Sequence, residues 1–126
     1  MTTTQKLTYE ELKNNLEQFI GSEQFFKVSL APIIATEGVK YFADTCKCYW
    51  LLDLIILGLF RIHQQLGYLF IDIDVNKRGT VHIVARQDEG MPIVFEKKQR
   101  DLCKRIPVGS YKIWLMNNTL LLPSEY

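Results

Sequence analysis

From Trp50 to Leu66 the chain is apolar on nearly every side for its first three turns, and after Gly67 the hydrophobic period changes from 3.6 to 2. That switch limits the fold more than any other feature. A helix greasy all round has to be covered, and half-buried strands that follow it offer one apolar face to do so. Ile71, Ile73 and Val75 alternate with Asp72 and Asp74, while Val81, Ile83 and Ala85 alternate with His82 and Arg86. The linking Asn76-Lys77-Arg78-Gly79 suits a type I turn closed by a glycine bulge. If Asn76 and Thr80 close the turn, Val75 faces Val81, Ile73 faces Ile83 and Ile71 faces Ala85, and Asp74 lies across from His82 on the opposite face.

Upstream, Thr8 and Glu11 form a capping box and Leu7 with Leu12 a hydrophobic staple. Leu12, Leu16, Phe19 and Ile20 then recur at helical spacing until Gly21. Gln24 to Leu30 reads as a short strand ended by Pro32, with a loop running to Thr36. From Glu37 through Cys46 a second helix shows Val39, Phe42, Ala43 and Cys46 on one face and a Lys40–Asp44 pair on the other. Downstream, Ile93-Val94-Phe95 is a strand, and the basic stretch Lys97 to Arg105 a short irregular or helical piece. Tyr111 to Met116 and Thr119 to Leu122 flank Asn117-Asn118, two residues that tolerate positive φ in a tight hairpin. Helices first and strands after predict an α+β domain: about three N-terminal helices on a mainly antiparallel sheet of about five strands.

At 126 residues, one domain over 1–126 is expected. A formal charge of +1 creates no whole-molecule field for nucleic acid or acidic lipid, so such binding would need a local patch. The start, MTTTQKLTYEE, has neither an apolar signal region nor an Arg-rich transit character, which points to the cytoplasm. Tyr49 to Phe60 falls far short of the roughly 20 apolar residues that a bilayer needs, so no membrane is expected. Three cysteines, Cys46, Cys48 and Cys103, are an odd number and are expected as free thiols.

Three stretches carry a resemblance: Thr36-Glu37-Gly38-Val39-Lys40-Tyr41, Tyr49-Trp50-Leu51-Leu52-Asp53, and Leu120-Leu121-Leu122-Pro123-Ser124-Glu125-Tyr126. In that order and spacing the chain resembles an uncharacterised family of short bacterial and phage-associated proteins with no established activity. It departs from the pattern at Glu37, where Asp is usual, and in the cysteine pair before Tyr49. The resemblance implies a compact cytoplasmic protein in a mobile-element setting, of a kind that binds a host or defence component. It assigns no substrate.

Chemistry-bearing residues are sparse. Cys46, Cys48 and Cys103 with a histidine could supply zinc donors, but the C-x-C spacing suits zinc poorly and on a helix the two side chains should diverge, so no metal is expected. His63 falls in the polar last turn of a helix, where an imidazolium is commonplace, and nothing local pairs it or His82 with a nucleophile. Asp72 and Asp74 share one side of a strand and would need a third carboxylate, Glu96 being the best candidate, to hold a metal or to act as acid and base. Asp53, among leucines, would be costly unless tied to Lys40 or Tyr41 across the helix pair. Phosphate-loop, dinucleotide, zincin and serine-elbow signatures are missing.

Lys97, Lys98, Arg100, Lys104 and Arg105 form the one charge cluster, with Trp114 and Tyr111 as neighbours for stacking. These residues lead to a non-enzymatic regulator or inhibitor that binds a protein partner through the basic segment, without cofactor or metal. The same segment gives the alternative of a nucleic-acid-binding module. A small metal-dependent hydrolase built on Asp72, Asp74 and His82 is a third reading. Whether the protein is an enzyme, and its oligomeric state, stay open at the level of sequence.

Overall fold

A computed structural model describes residues 8–21, 24–27, 32–88, 90–101 and 105–126. Helix α1 (Tyr9–Leu16) starts at the expected capping box: the Thr8 hydroxyl accepts from Glu11 N–H and the Glu11 carboxylate accepts from Thr8 N–H. The staple residue Leu7 lies outside the described residues. The helix stops a turn earlier than the spacing predicts, because Gln18 and Phe19 donate to carbonyls three residues back and tighten the chain into a turn. Phe19 still packs against Tyr41, at 5.4 Å between ring centres, but Ile20 is 83% exposed rather than on the buried face.

Strands β1 (Phe25–Lys27) and β2 (Ile34–Thr36) lead into α2 (Glu37–Cys46) and α3 (Tyr49–Leu66). Then follow β3 (Leu69–Val75), β4 (Thr80–Arg86), β5 (Ile93–Arg100), β6 (Gly109–Met116), β7 (Thr119–Leu121) and a closing 3-10 turn over Pro123–Glu125. Among the described residues the fold is α+β, with three helices and one seven-stranded sheet in the order β1-β2-β7-β6-β3-β4-β5. The sheet has seven strands where about five were expected, and β2 is the one that had the look of a loop. Its three residues run parallel to β7, and every other pairing in the sheet is antiparallel. The basic stretch is not irregular at its start: β5 continues through Lys97 and Lys98 to Arg100 at the sheet's edge. Of the expected first strand, Val28 to Leu30 lie outside the described residues.

The β3–β4 hairpin has the predicted register, with Val75 against Val81, Ile73 against Ile83, Ile71 against Ala85 and Asp74 against His82. Its turn is held by Asn76, whose side-chain oxygen accepts from Arg78 N–H and Thr80 N–H, and Gly79 takes φ 83°. Asn117 and Asn118 both adopt left-handed φ, at 50° and 58°, and make the two-residue β6–β7 turn.

All three helices pack on one face of the sheet. Leu51, Leu52, Ile55, Ile56 and Leu59 of α3 share a buried core with Ile71, Ile73, Ile83, Ala85, Ile113 and Leu115. Gly58 brings α3 close to β5, since a Cβ there would run into the Phe95 ring. In this two-layer arrangement α3 is covered on one side only, so Leu57 is 81% exposed. Asp53, one turn earlier on the same outward line, is exposed as well. Asp53 therefore needs no partner, and the expected tie to Lys40 or Tyr41 is absent: Lys40 pairs with Asp44 at 2.8 Å and Tyr41 Oη accepts from Asn15. No helix of the described residues is long and apolar enough to cross a membrane.

Candidate functional site

With helices on one face, the alternation of each strand turns a second set of side chains to the other. On β3, β4, β5 and β6 that outer set comprises Asp72, Asp74, His82, Arg86, Glu96, Lys98, Ser110 and Lys112. Asp74 and His82 stand across from each other as expected, yet each is engaged elsewhere. The Ser110 hydroxyl donates to Asp74 at 2.5 Å, His82 Nε2 meets Glu96 at 2.5 Å, and Arg86 reaches Asp72 at 3.4 Å. A serine nucleophile would need its proton on the imidazole, whereas here the hydroxyl is turned to a carboxylate and Nε2 to a different one. Among the described residues no three His, Cys, Asp or Glu side chains come close enough to share a metal ion.

The other half of the same face is aromatic. Phe70 and Trp114 are cross-strand partners with ring centres 4.9 Å apart, and Tyr126 closes edge-on against Trp114 at 5.5 Å. Both Phe70 and Trp114 are half-buried and Tyr126 is 80% exposed. Phe25 and Ile34, on the same face of β1 and β2, extend this apolar area. Sequence reading placed Trp114 near the basic segment but missed Phe70; the signal was the alternation itself, which puts Phe70 in phase with Asp72.

The basic residues do not form one patch. Lys97 lies opposite Ile83 and so shares the helix side of the sheet, while Lys98 and Arg100, opposite His82 and Thr80, share the open face. Arg105 is exposed, and its backbone N–H donates to the buried Asp101, which also accepts from Ile106. Lys104 and Cys103 lie outside the described residues.

The remaining motif residues are absorbed by packing. Glu125 of the closing turn accepts from the Thr36 hydroxyl at 2.6 Å, from Gly38 N–H and from Leu122 N–H, placing a carboxylate at the start of α2. Two of the three stretches that carried the family resemblance thus meet in space. Tyr49, from the third, donates to Asp44 at 2.6 Å; burial and that bond push its phenol up to about 12. Bonds from Lys40 and Tyr49 hold the Asp44 carboxyl below its usual range. The Cys46 and Cys48 side chains converge instead of diverging, because Lys47 between them adopts left-handed φ 53°. Contact with Cys46 and then burial push the Cys48 thiol far above the ordinary range, which makes it inert.

His63, read as part of the polar last turn of its helix, is buried. Its Nε2 accepts from Asn118 N–H at 3.0 Å and Nδ1 donates to Gly67 O at 2.5 Å, a pattern that only the neutral ring with a proton on Nδ1 can make. The ring pins the β6–β7 turn to the end of α3.

No curated protein and no solved structure matches the chain. A family model matches residues 10–126, spanning all three helices and the whole sheet, and on that match the chain belongs to DUF6876, a family of unknown function.

Proposed function

We propose that this is a non-enzymatic binding protein that docks a protein partner on the uncovered face of its sheet and regulates or inhibits that partner by occlusion. The observation that carries the reading is the contiguous aromatic set of half-buried Phe70 and Trp114 with exposed Tyr126, on a face that no helix of the described residues covers. Exposed aromatic clusters rimmed by polar residues favour protein contact. Lys98 and Arg100 lie on the same open face at its polar end, away from Phe70 and Trp114, and the basic segment contributes to the surface through these open-face members. The polar half pairs its own charges, Asp72 with Arg86 and Glu96 with His82, which leaves little for a nucleic-acid backbone and favours protein over the nucleic-acid alternative. The metal-dependent hydrolase built on Asp72, Asp74 and His82 is less favoured, since Asp72 is bonded to Arg86, Asp74 to Ser110 and His82 to Glu96.

The test is affinity capture with the tagged chain, compared with a Trp114→Ala variant and a Lys98→Glu, Arg100→Glu variant of unchanged melting temperature. A stoichiometric protein partner that both variants lose supports the proposal. A partner that both retain, or capture of nucleic acid that weakens steeply with salt, overturns it. The phage or mobile-element setting, which rests on the family resemblance, is tested by the neighbouring genes.

A further inference from the structure

The turn between β3 and β4 carries two exposed cations, Lys77 and Arg78, distant in sequence from the basic segment. The pairing of Thr80 with Arg100, and a 2.7 Å bond from Asp101 N–H to Gly79 O, bring the end of β5 alongside this turn. Lys98 and Arg100 alternate onto the open face there, and the exposed Arg105 follows, its N–H bonded to the Asp101 carboxylate. The fold thus gathers Lys77, Arg78, Lys98, Arg100 and Arg105 at one end of the sheet, and none of the five makes an ion pair among the described residues. The carboxylates around them are engaged elsewhere: Asp101 is buried and accepts from Arg105 N–H and Ile106 N–H, Asp74 accepts from the Ser110 hydroxyl, and Glu96 meets His82. A chain whose formal charge is only +1 therefore has one positive end.

Unpaired cations select an anion, and their setting selects its kind. Lys98 and Arg100 stand two positions apart on one face of β5, about 7 Å at the rise of a strand, which matches alternate side chains of an extended acidic segment. The rings that base stacking would use are elsewhere: Trp114 pairs with Phe70 at the far end of the open face, and Tyr111 stands opposite Ile73 on the helix side. Because β3 runs from Leu69 to Val75, the turn lies about 20 Å from the aromatic set at Phe70. We propose that this end of the molecule binds an acidic segment of a protein, whose Asp and Glu side chains meet Lys77, Arg78, Lys98, Arg100 and Arg105. That the segment belongs to the partner of the aromatic set rests on the docking-face reading, and it requires that partner to carry its carboxylates about 20 Å from its apolar contact.

Fluorescence anisotropy at low salt tests this with a labelled octaglutamate peptide, compared with octalysine and single-stranded octathymidylate carrying the same label. Octaglutamate saturates at one to one and octalysine does not bind. Lys77→Glu, Arg78→Glu weakens octaglutamate by about tenfold, as does Lys98→Glu, Arg100→Glu, whereas Lys13→Glu, Arg61→Glu, an equal change of net charge at exposed helix positions, weakens it by less than about twofold. All three variants melt close to the parent, since every replaced side chain is exposed. Octaglutamate that does not saturate, an equal loss from the helix variant, or octathymidylate bound as tightly as octaglutamate overturns the inference, the last in favour of nucleic acid. In affinity capture, a partner that needs Trp114 but ignores Lys77→Glu, Arg78→Glu also overturns it and leaves the docking face standing. Octaglutamate binding that follows these cations, beside a captured partner indifferent to Trp114→Ala, keeps the acidic-segment site and removes only the docking face.

Discussion

Single residues explain why two distant stretches of the chain behave as one motif. Gly38 sits in the first turn of α2, where alanine would ordinarily help a helix by up to about 1 kcal/mol. Here a Cβ would lie 2.6 Å from Leu122 Cδ1 and 2.7 Å from Glu125 Oε1, inside the contact that lets the closing turn cap the helix. Gly38→Ala therefore reverses the usual sign and destabilises by about 1–3 kcal/mol, as overpacking does, which chemical denaturation would measure. Tyr49 supplies a pH-dependent counterpart. Its phenol is raised to about 12, first by burial and then by the bond to Asp44, so folding favours the protonated form. The stabilisation is complete below the unfolded tyrosine value of about 10 and disappears as pH rises through about 12. Asp44 runs the other way: its carboxyl is lowered, so its contribution is complete above the unfolded aspartate value and disappears as pH falls through the lowered one. Tyr49→Phe should flatten the alkaline limb of a stability–pH curve and soften the acid limb, and loss of the tyrosine step near pH 12 from an ultraviolet titration, with the still more alkaline Tyr111 step retained, would identify the residue.

Elements differ in how far they could be read in advance, and the difference follows from how local their causes are. The β3–β4 hairpin was legible because turn chemistry at Asn76 to Gly79 and the apolar alternation on both sides demand one register. The second helix was legible to the residue for a similar reason, its periodicity ending where Lys47 goes left-handed. Strand β2 was not legible: three residues carry no period, and its parallel partner lies more than eighty positions away. The open face was half legible. Asp74 and His82 could be paired from the hairpin and Glu96 was named as the carboxylate to join that face, whereas Ser110, which binds Asp74, arrives on a strand whose neighbours no local signal names. At the β6–β7 turn local and distant causes combine, since Asn118 adopts φ 58°, donates its N–H to His63 and accepts from Ile34 through its carbonyl. The backbone bonds survive any side-chain change, but the left-handed conformation penalises a Cβ by about 1–2 kcal/mol unless Asn or Gly holds it. Asn118→Ala should lower stability by about 1 kcal/mol and Asn118→Gly by no more than a few tenths, a contrast that denaturant midpoints at constant slope would reveal.

At the scale of the whole molecule the described residues form one layer of helices and one of strands, which leaves one sheet face and two sheet edges uncovered. At one end stands β1, of which Phe25–Lys27 are described. At the other, β5 runs for eight residues with an unpaired side, the geometry that invites edge-to-edge association. Lys97 and Lys98 occupy the middle of that strand and point to opposite faces, so whichever way a second strand approached it would have to bury an ammonium group. This division serves an edge guard better than it serves a single binding patch, and it separates the roles of the two lysines. Replacing both with threonine keeps strand propensity and leaves the core untouched, because both side chains are exposed. The Lys97→Thr, Lys98→Thr chain should unfold at a temperature close to that of the parent yet self-associate with rising concentration, as light scattering would show. Lys97→Thr alone should retain partner binding, whereas Lys98→Thr alone should weaken it. Equal loss from the two single variants would mean that the partner contacts the strand's edge and not the sheet's open face.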